Sequence, residues 1–400
     1  MENKTQAFSR KKINITIGII TIQNIKNYGA CLQSFALWHA IQSLGYKCEI
    51  INLLTPAHKG FQKSKNFNTY EKRTSLLKRC YRLYKEKINQ IYQKILLINQ
   101  MQQIKRKEYN FERFNSQISF SRIYKNADEL YNNPPIYDIY VTGSDQVWNP
   151  TLGFELEAYF LTFAPKNTKK IAYAPSIARN DLPSQFIDKY RKWLKNYNHL
   201  SIREKSGQTI LETILKKQVP LVLDPTFLLS KEEWISQMPK GITFPPKYIL
   251  CFTLSDKKLI EYAVLISKEA QLPLLVISTY VNYKIKNAKM ILDAGPSELI
   301  SYIYNAEMVI TDSFHGVAIS IQLARSFFAY IKQQKKYVPD ISDRIRTIIN
   351  QFDLNEHIIT DYRKRYKTLS QTQYDRHKLD KQINAERDKS LSYLKQSLTS

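Results

Sequence analysis

At 400 residues the chain is too long for one ordinary core, and two domains are expected. Its formal charge of +25, from 60 Lys and Arg against 35 Asp and Glu, calls for an anionic partner: nucleic acid, a membrane surface or a phosphorylated substrate. Cys31, Cys48, Cys80 and Cys251 show no CxxC spacing and the histidines are scattered, which argues against a disulfide framework or a zinc cluster.

Residues 1–22 mimic a secretory leader, with Arg10, Lys11 and Lys12 before a short apolar run. Asn14 and Thr16 alternate with Ile13, Ile15 and Ile17, however, and that is strand periodicity. No stretch approaches the roughly 18 apolar residues of a membrane span, so a cytoplasmic protein is expected. The strand Ile13 to Thr21 leads through a loop ending in Asn27-Tyr28-Gly29 into a helix from about Ala30 to Ser43. Gly45 suits its C-terminal stop, and a strand from Cys48 to Leu53 completes a βαβ unit with a right-handed crossover.

Residues 60–118 are Tyr-rich and basic, with 14 Lys and Arg against 4 Asp and Glu, and apolar residues recur at helical spacing. They form a helical excursion whose polar face is solvated; docking on anionic lipid is the sharper alternative. The α/β alternation resumes with a strand from Asp138 to Thr142, which ends in Gly143-Ser144-Asp145-Gln146. Strands at Lys170 to Ala174, near His199 to Arg203 and at Val219 to Leu223 are interleaved with helices Asp181 to Lys195 and Lys205 to Lys216. Residues 238–247 contain Pro239, Gly241, Pro245 and Pro246, a linker composition.

A second alternation follows: strand Tyr248 to Leu254, helix Leu259 to Ala270, strand Leu274 to Ser278 and helix Ser297 to Ala306. The strand Met308 to Thr311 stops at Asp312-Ser313, and a helical pattern begins at Val317. His315 and Gly316 therefore sit where a strand hands over to a helix, beside backbone amides and a dipole that favour an anion. Strand Phe327 to Ile331 and helix Ser342 to Phe352 close the unit, and a polar helical tail packs back on the first domain. The expected divisions are 13–237, the linker 238–247, 248–362 and the tail 363–400.

Asn27-Tyr28-Gly29, Gly143 to Gln146, Ser201 to Glu204 and Ser313 to Gly316 all follow strand ends, where open α/β sheets bind ligands. Singly each has a plain structural reading. The glycines serve turns, Asp312 or Ser313 caps a helix, and Arg203 pairs with Glu204 at the surface.

The stretches NYGACLQSFAL (27–37), YDIYVTGSDQVWNP (137–150), SIREKSG (201–207) with VLDPTFLL (222–229), and GPSELISYIYNAEMVITDSFHG (295–316) together resemble the polysaccharide pyruvyl transferases. The resemblance implies two Rossmann-like α/β domains facing a central cleft, as in GT-B glycosyltransferases, with the acceptor on the first domain and the donor on the second. It also implies transfer of pyruvate from phosphoenolpyruvate onto a cell-surface glycan or its lipid-linked precursor, as a cyclic ketal. Phosphoenolpyruvate enters as donor substrate and no cofactor is implied; cationic side chains can offset its charge without a metal. His315 and Arg203 then become the catalytic pair, the first for proton transfer and the second for bidentate anion binding. Ser313, Phe314, Gly316 and Lys332 fall to the donor, and Asn27, Tyr28, Gly29, Ser144, Asp145 and Gln146 to the acceptor.

An ordinary glycosyltransferase using a nucleotide sugar in the same cleft is the alternative. A nucleic-acid-binding protein is disfavoured, because the basic residues are spread along the chain and form no recognised motif. If residues 60–118 meet the inner membrane face, the protein floats weakly with anionic liposomes in low salt; flotation unchanged by deleting this segment refutes the contact.

Overall fold

The computed structural model describes residues 15–23, 25–65, 100–152, 155–254, 256–279, 285–331 and 342–400. Lys332, the start of the first expected strand and most of the basic excursion lie outside them.

The first half is a five-stranded sheet of β1 (Thr16–Ile20), β2 (Lys47–Leu53), β3 (Phe120–Tyr124), β4 (Ile139–Thr142) and β5 (Lys169–Ala172). All pairs are parallel, in the order β3-β2-β1-β4-β5. The second half is a six-stranded sheet of β6 (Ile249–Thr253), β7 (Leu274–Ser278), β8 (Lys289–Met290), β9 (Met308–Thr311), β10 (Phe327–Tyr330) and β11 (Ile358–Ile359). It too is parallel throughout, in the order β11-β10-β9-β6-β7-β8. Strands buried on both faces are apolar runs: Ile17, Ile19, Ile249, Leu250, Val309 and Ile310 are fully buried.

In each sheet the chain leaves its first strand to one side and later returns to the other. The reversal falls between β1 and β4 in the first half and between β6 and β9 in the second. Crevices open at such switch points, outside the carboxyl ends of the strands.

Helix α1 (Tyr28–Ser43) starts two residues before its apolar periodicity, because the Asn27 side chain accepts a hydrogen bond from the Ala30 amide at 3.1 Å. It is buried on nearly every side, between its own sheet and the second half. Helix α2 (Met101–Asn115), the described end of the basic segment, is a brace as well as a solvated surface. It buries Asn110, Phe111 and Phe114, and reaches the second half through an Arg113–Glu298 ion pair and an Asn110 Nδ2 hydrogen bond to the Asp293 carbonyl at 2.8 Å.

Two expected strands, near His199 to Arg203 and at Val219 to Leu223, are instead single bridges, Ile171 with His199 and Ile202 with Leu221. Pro220 lacks the N–H that a continued ladder requires. The other α-helices among the described residues are α3 (Ala127–Asn132), α4 (Ser184–Leu194), α5 (Lys205–Leu215), α6 (Lys231–Ser236), α7 (Lys257–Ala270), α8 (Pro296–Asn305), α9 (Phe314–Gln322), α10 (Asp343–Gln351), α11 (Tyr366–Gln371) and α12 (Arg376–Thr399). Residues 238–247 contain no helix or strand.

The terminal α12 straps the halves together. Its Arg387 donates to the Phe227 carbonyl at 2.7 Å and to Gln322 Oε1 at 2.9 Å, while Tyr393 donates to the Ala172 carbonyl at 3.3 Å. A second clamp joins the N-termini of α5 and α10, where the Ser206 amide donates to Asp343 Oδ2 at 3.2 Å. That clamp sets Arg203 and Arg344 side by side.

Candidate active site

The loops after β1, β4, β6 and β9 meet around one cleft. Asn27, Tyr28, Gly29, Asp145, Gln146, Ser313, Phe314 and His315 line it, together with Phe252, Leu254, Thr279 and Arg344. Eight of the residues singled out in the sequence thus share one wall-to-wall space, drawn from both halves.

The Ser313 side chain caps α9 by accepting from the Gly316 amide, so that His315 lies in the first helical turn rather than in a loop ahead of it. Gly316 permits that turn to pack, since a Cβ there would stand 2.5 Å from Thr311 Oγ1. Gly29 is required for a different reason: a Cβ would lie 2.0 Å from Nδ1 of His315. The first turn of α1 and the imidazole are therefore in direct contact across the domain boundary. Asn27 and Gln146 hold the loops; the Gln146 side chain accepts from Asn149 Nδ2 at 2.8 Å. Tyr28 bridges the halves by donating to the Ala294 carbonyl at 2.8 Å.

Behind the imidazole lies a buried charge cluster. Asp224 Oδ2 accepts from Arg203 Nη1 and stands 3.9 Å from His315 Nε2. Arg203 Nη2 is 3.6 Å from Asp145 Oδ1, and Arg344 Nη1 is 3.5 Å from the same oxygen. The Phe314 ring is flanked by both guanidiniums, at 4.6 and 5.8 Å from its centroid. Glu204 Oε1 accepts from the Ile177 and Ala178 amides at 2.8 and 3.1 Å. Ser144 is fully buried, and its hydroxyl reaches the Ala174 carbonyl at 2.8 Å and Asp224 Oδ2 at 3.1 Å.

Arg203 is one layer behind the cleft, covered by Phe314 and engaged by carboxylates; Arg344 reaches the cleft itself. Neither Arg344 nor Asp224 stood out in the sequence as a site residue. A faint signal for Arg344 existed, because a cation in the first turn of a helix opposes the dipole. Asp224 was concealed as the residue before Pro225, where it caps a short turn.

Burial dominates the electrostatics. It pushes the His315 imidazole down to about 4, with Arg203 and Arg344 adding to the effect and Asp224 and Asp145 opposing it. The ring is accordingly neutral at pH 7. Burial also brings Arg344 down to about 10, which leaves it charged. For Asp224 burial acts upward, but Arg203, His315 and the Thr226 hydrogen bonds outweigh it and hold the carboxyl below its ordinary range. Glu204 is raised by burial despite Arg203 and its two amide donors. A neutral base and a guanidinium only partly engaged by Asp145, facing one cleft, can bind an anion and move a proton beside it.

Residues 27–331 match the family model of the polysaccharide pyruvyl transferases. No curated protein matches significantly. Among solved structures, the UDP-GlcNAc 2-epimerase of Neisseria meningitidis, determined with UDP-GlcNAc bound, aligns over 96% of this chain and 99% of its own at 8% identity and a TM-score of 0.53. The UDP-GlcNAc 2-epimerase of Methanocaldococcus jannaschii aligns over 97% and 99% at 12% identity with a TM-score of 0.46. A glycotransferase of kitacinnamycin aligns over 96% and 100% at 10% identity with a TM-score of 0.45. The two parallel sheets, with the likeness to the Neisseria epimerase, bear out the GT-B-like pair of Rossmann-like domains expected from the sequence; that likeness concerns the fold alone.

Gly29→Ala should displace the imidazole and lower turnover at least tenfold while changing the melting temperature by only a few degrees. Full activity in that variant would show that the Gly29–His315 contact is dispensable.

Proposed function

The chain belongs to the polysaccharide pyruvyl transferase family, and from that premise we propose that it transfers pyruvate from phosphoenolpyruvate to two hydroxyls of a cell-surface glycan or its lipid-linked precursor. The observation that carries this reading is a neutral His315 and a charged Arg344 in one cleft at the carboxyl ends of both sheets.

Ketal formation joins two acceptor oxygens to C2 of phosphoenolpyruvate, protonates C3 to a methyl group and breaks the C2–O bond to phosphate. The two hydroxyl protons end on C3 and on the released phosphate. The imidazolium formed on binding is suited to give its proton to C3, and the neutral ring left behind to accept a hydroxyl proton in its place. Phosphoenolpyruvate brings close to three negative charges. Arg344 and the first-turn amides of α9 bind this anion, and Arg203 adds field from behind Phe314. Asp145, held at the cleft edge by both arginines, is placed to accept hydrogen bonds from the acceptor sugar. The basic segment 60–118 offers the acceptor's lipid a cationic approach, which keeps the protein peripheral at the inner membrane face.

A bound anion opposes the burial that depresses His315, so binding at pH 7 should draw a proton onto the ring. Calorimetry in buffers of different ionisation enthalpy should register uptake with the native protein and less with His315→Gln. Thermal shift should show stabilisation by phosphoenolpyruvate, about 2.7 kcal/mol at a hundredfold excess over Kd. Arg344→Gln should weaken that binding at least tenfold, and His315→Ala should cut turnover by about 10². Stabilisation by a nucleotide sugar with none by phosphoenolpyruvate would replace this reading with a glycosyltransferase.

A further inference from the structure

We propose that Asp224 is the positioning residue of the imidazole: its Oδ2 holds the Nε2 side of His315, and Nδ1, on the Gly29 side, is the nitrogen that exchanges protons with the ligand. The inference rests on the pyruvyl transfer reading and deepens it.

The Asp224 carboxylate is fixed from several directions. Oδ1 accepts from the Thr226 amide at 3.0 Å and the Thr226 hydroxyl at 2.7 Å, while Oδ2 accepts from Arg203 Nη1 and lies 3.1 Å from Ser144 Oγ. Both it and its short turn are buried, so the carboxylate has no route to solvent. His315 Nε2 is buried too, has no hydrogen-bond partner among the described residues, and faces Oδ2 across 3.9 Å. That gap exceeds a hydrogen bond, and catalytic contacts of this kind commonly tighten on ligand binding.

The second nitrogen has different surroundings. Nδ1 borders Gly29, where any side chain would occupy the same space, and Gly29 lines the cleft. A ring with one nitrogen turned to a buried carboxylate and the other to a substrate cleft is oriented and given a defined tautomer. The charged groups facing the ring are Asp224 and Asp145, which favour the imidazolium, and Arg203 and Arg344, which disfavour it. Asp224 heads the first group and forms the nearest anchor.

Asp224 also neutralises Arg203, and a purely structural role of that kind must be separated from positioning. Breaking a buried pair by removing one partner is strongly destabilising, whereas removing both is milder. The test therefore compares Arg203→Gln with the Arg203→Gln, Asp224→Asn double variant.

Relative to Arg203→Gln, the double variant should lose at least tenfold in kcat. Its acid limb in kcat/KM should move down by at least one pH unit, and KM for phosphoenolpyruvate should change less than threefold. Independently of any substrate, ¹⁵N spectra of labelled imidazole at pH 7 should show the native His315 ring protonated at Nε2. In the double variant the two tautomers should mix. A native ring protonated at Nδ1, a tautomer unchanged by the double substitution, or an unmoved acid limb overturns the proposal. Because the spectra require no ligand, they stand even if phosphoenolpyruvate proves not to be the donor.

Discussion

Two buried guanidiniums, two buried carboxylates and the partly buried Asp145 gather beside one imidazole, and the arrangement of the two halves follows from bringing them together. Removing charges from water costs several kcal/mol each, and pairing commonly does no more than offset the loss. An apolar interface would hold the domains at least as well. The cluster instead places Arg203, Glu204 and Asp224 on the first half and His315 and Arg344 on the second, so neither half contains the whole set. The α5–α10 clamp, the α2 brace and the α12 strap hold the geometry that this mutual dependence requires. Such a concentration of strained electrostatics marks a functional centre more readily than a stabilising one.

The common architecture explains where the cleft lies but not what happens in it. The overall fold is shared with an epimerase of 8% identity, and that likeness concerns the fold alone. What distinguishes this chain is the chemistry lining the meeting point. A small cleft with a neutral ring, a half-committed arginine and helix-start amides suits a compact, highly charged donor. The contact of Gly29 with His315 ties the two sheets to that chemistry at a single point.

Much of this was visible in the residues. The inner strands of both sheets were legible because two-sided burial makes each an apolar run, as in Leu274–Ser278 and Met308–Thr311. Of the edges only β5, still an apolar run at its end, was legible; β3 carries Ser121 and Arg122 with Ile123 exposed, and β8 and β11 are two residues each. Glycine-bearing turns after strands pointed to Gly29, Asp145 and His315, since backbone geometry leaves a sequence trace. The placement of Arg344 at the cleft, with Arg203 behind it, left almost none, because it depends on which guanidinium lies beyond the Phe314 ring. Long-range packing decides that, and local pattern does not record it.

A crystal structure with phosphoenolpyruvate bound tests the central claim most directly. The account predicts its phosphate or carboxylate on Arg344 and the first turn of α9, with C3 within reach of His315 Nδ1 and Asp224 closed onto Nε2. Phosphoenolpyruvate bound away from this cleft, or within it but with the imidazole turned from C3, would contradict the account.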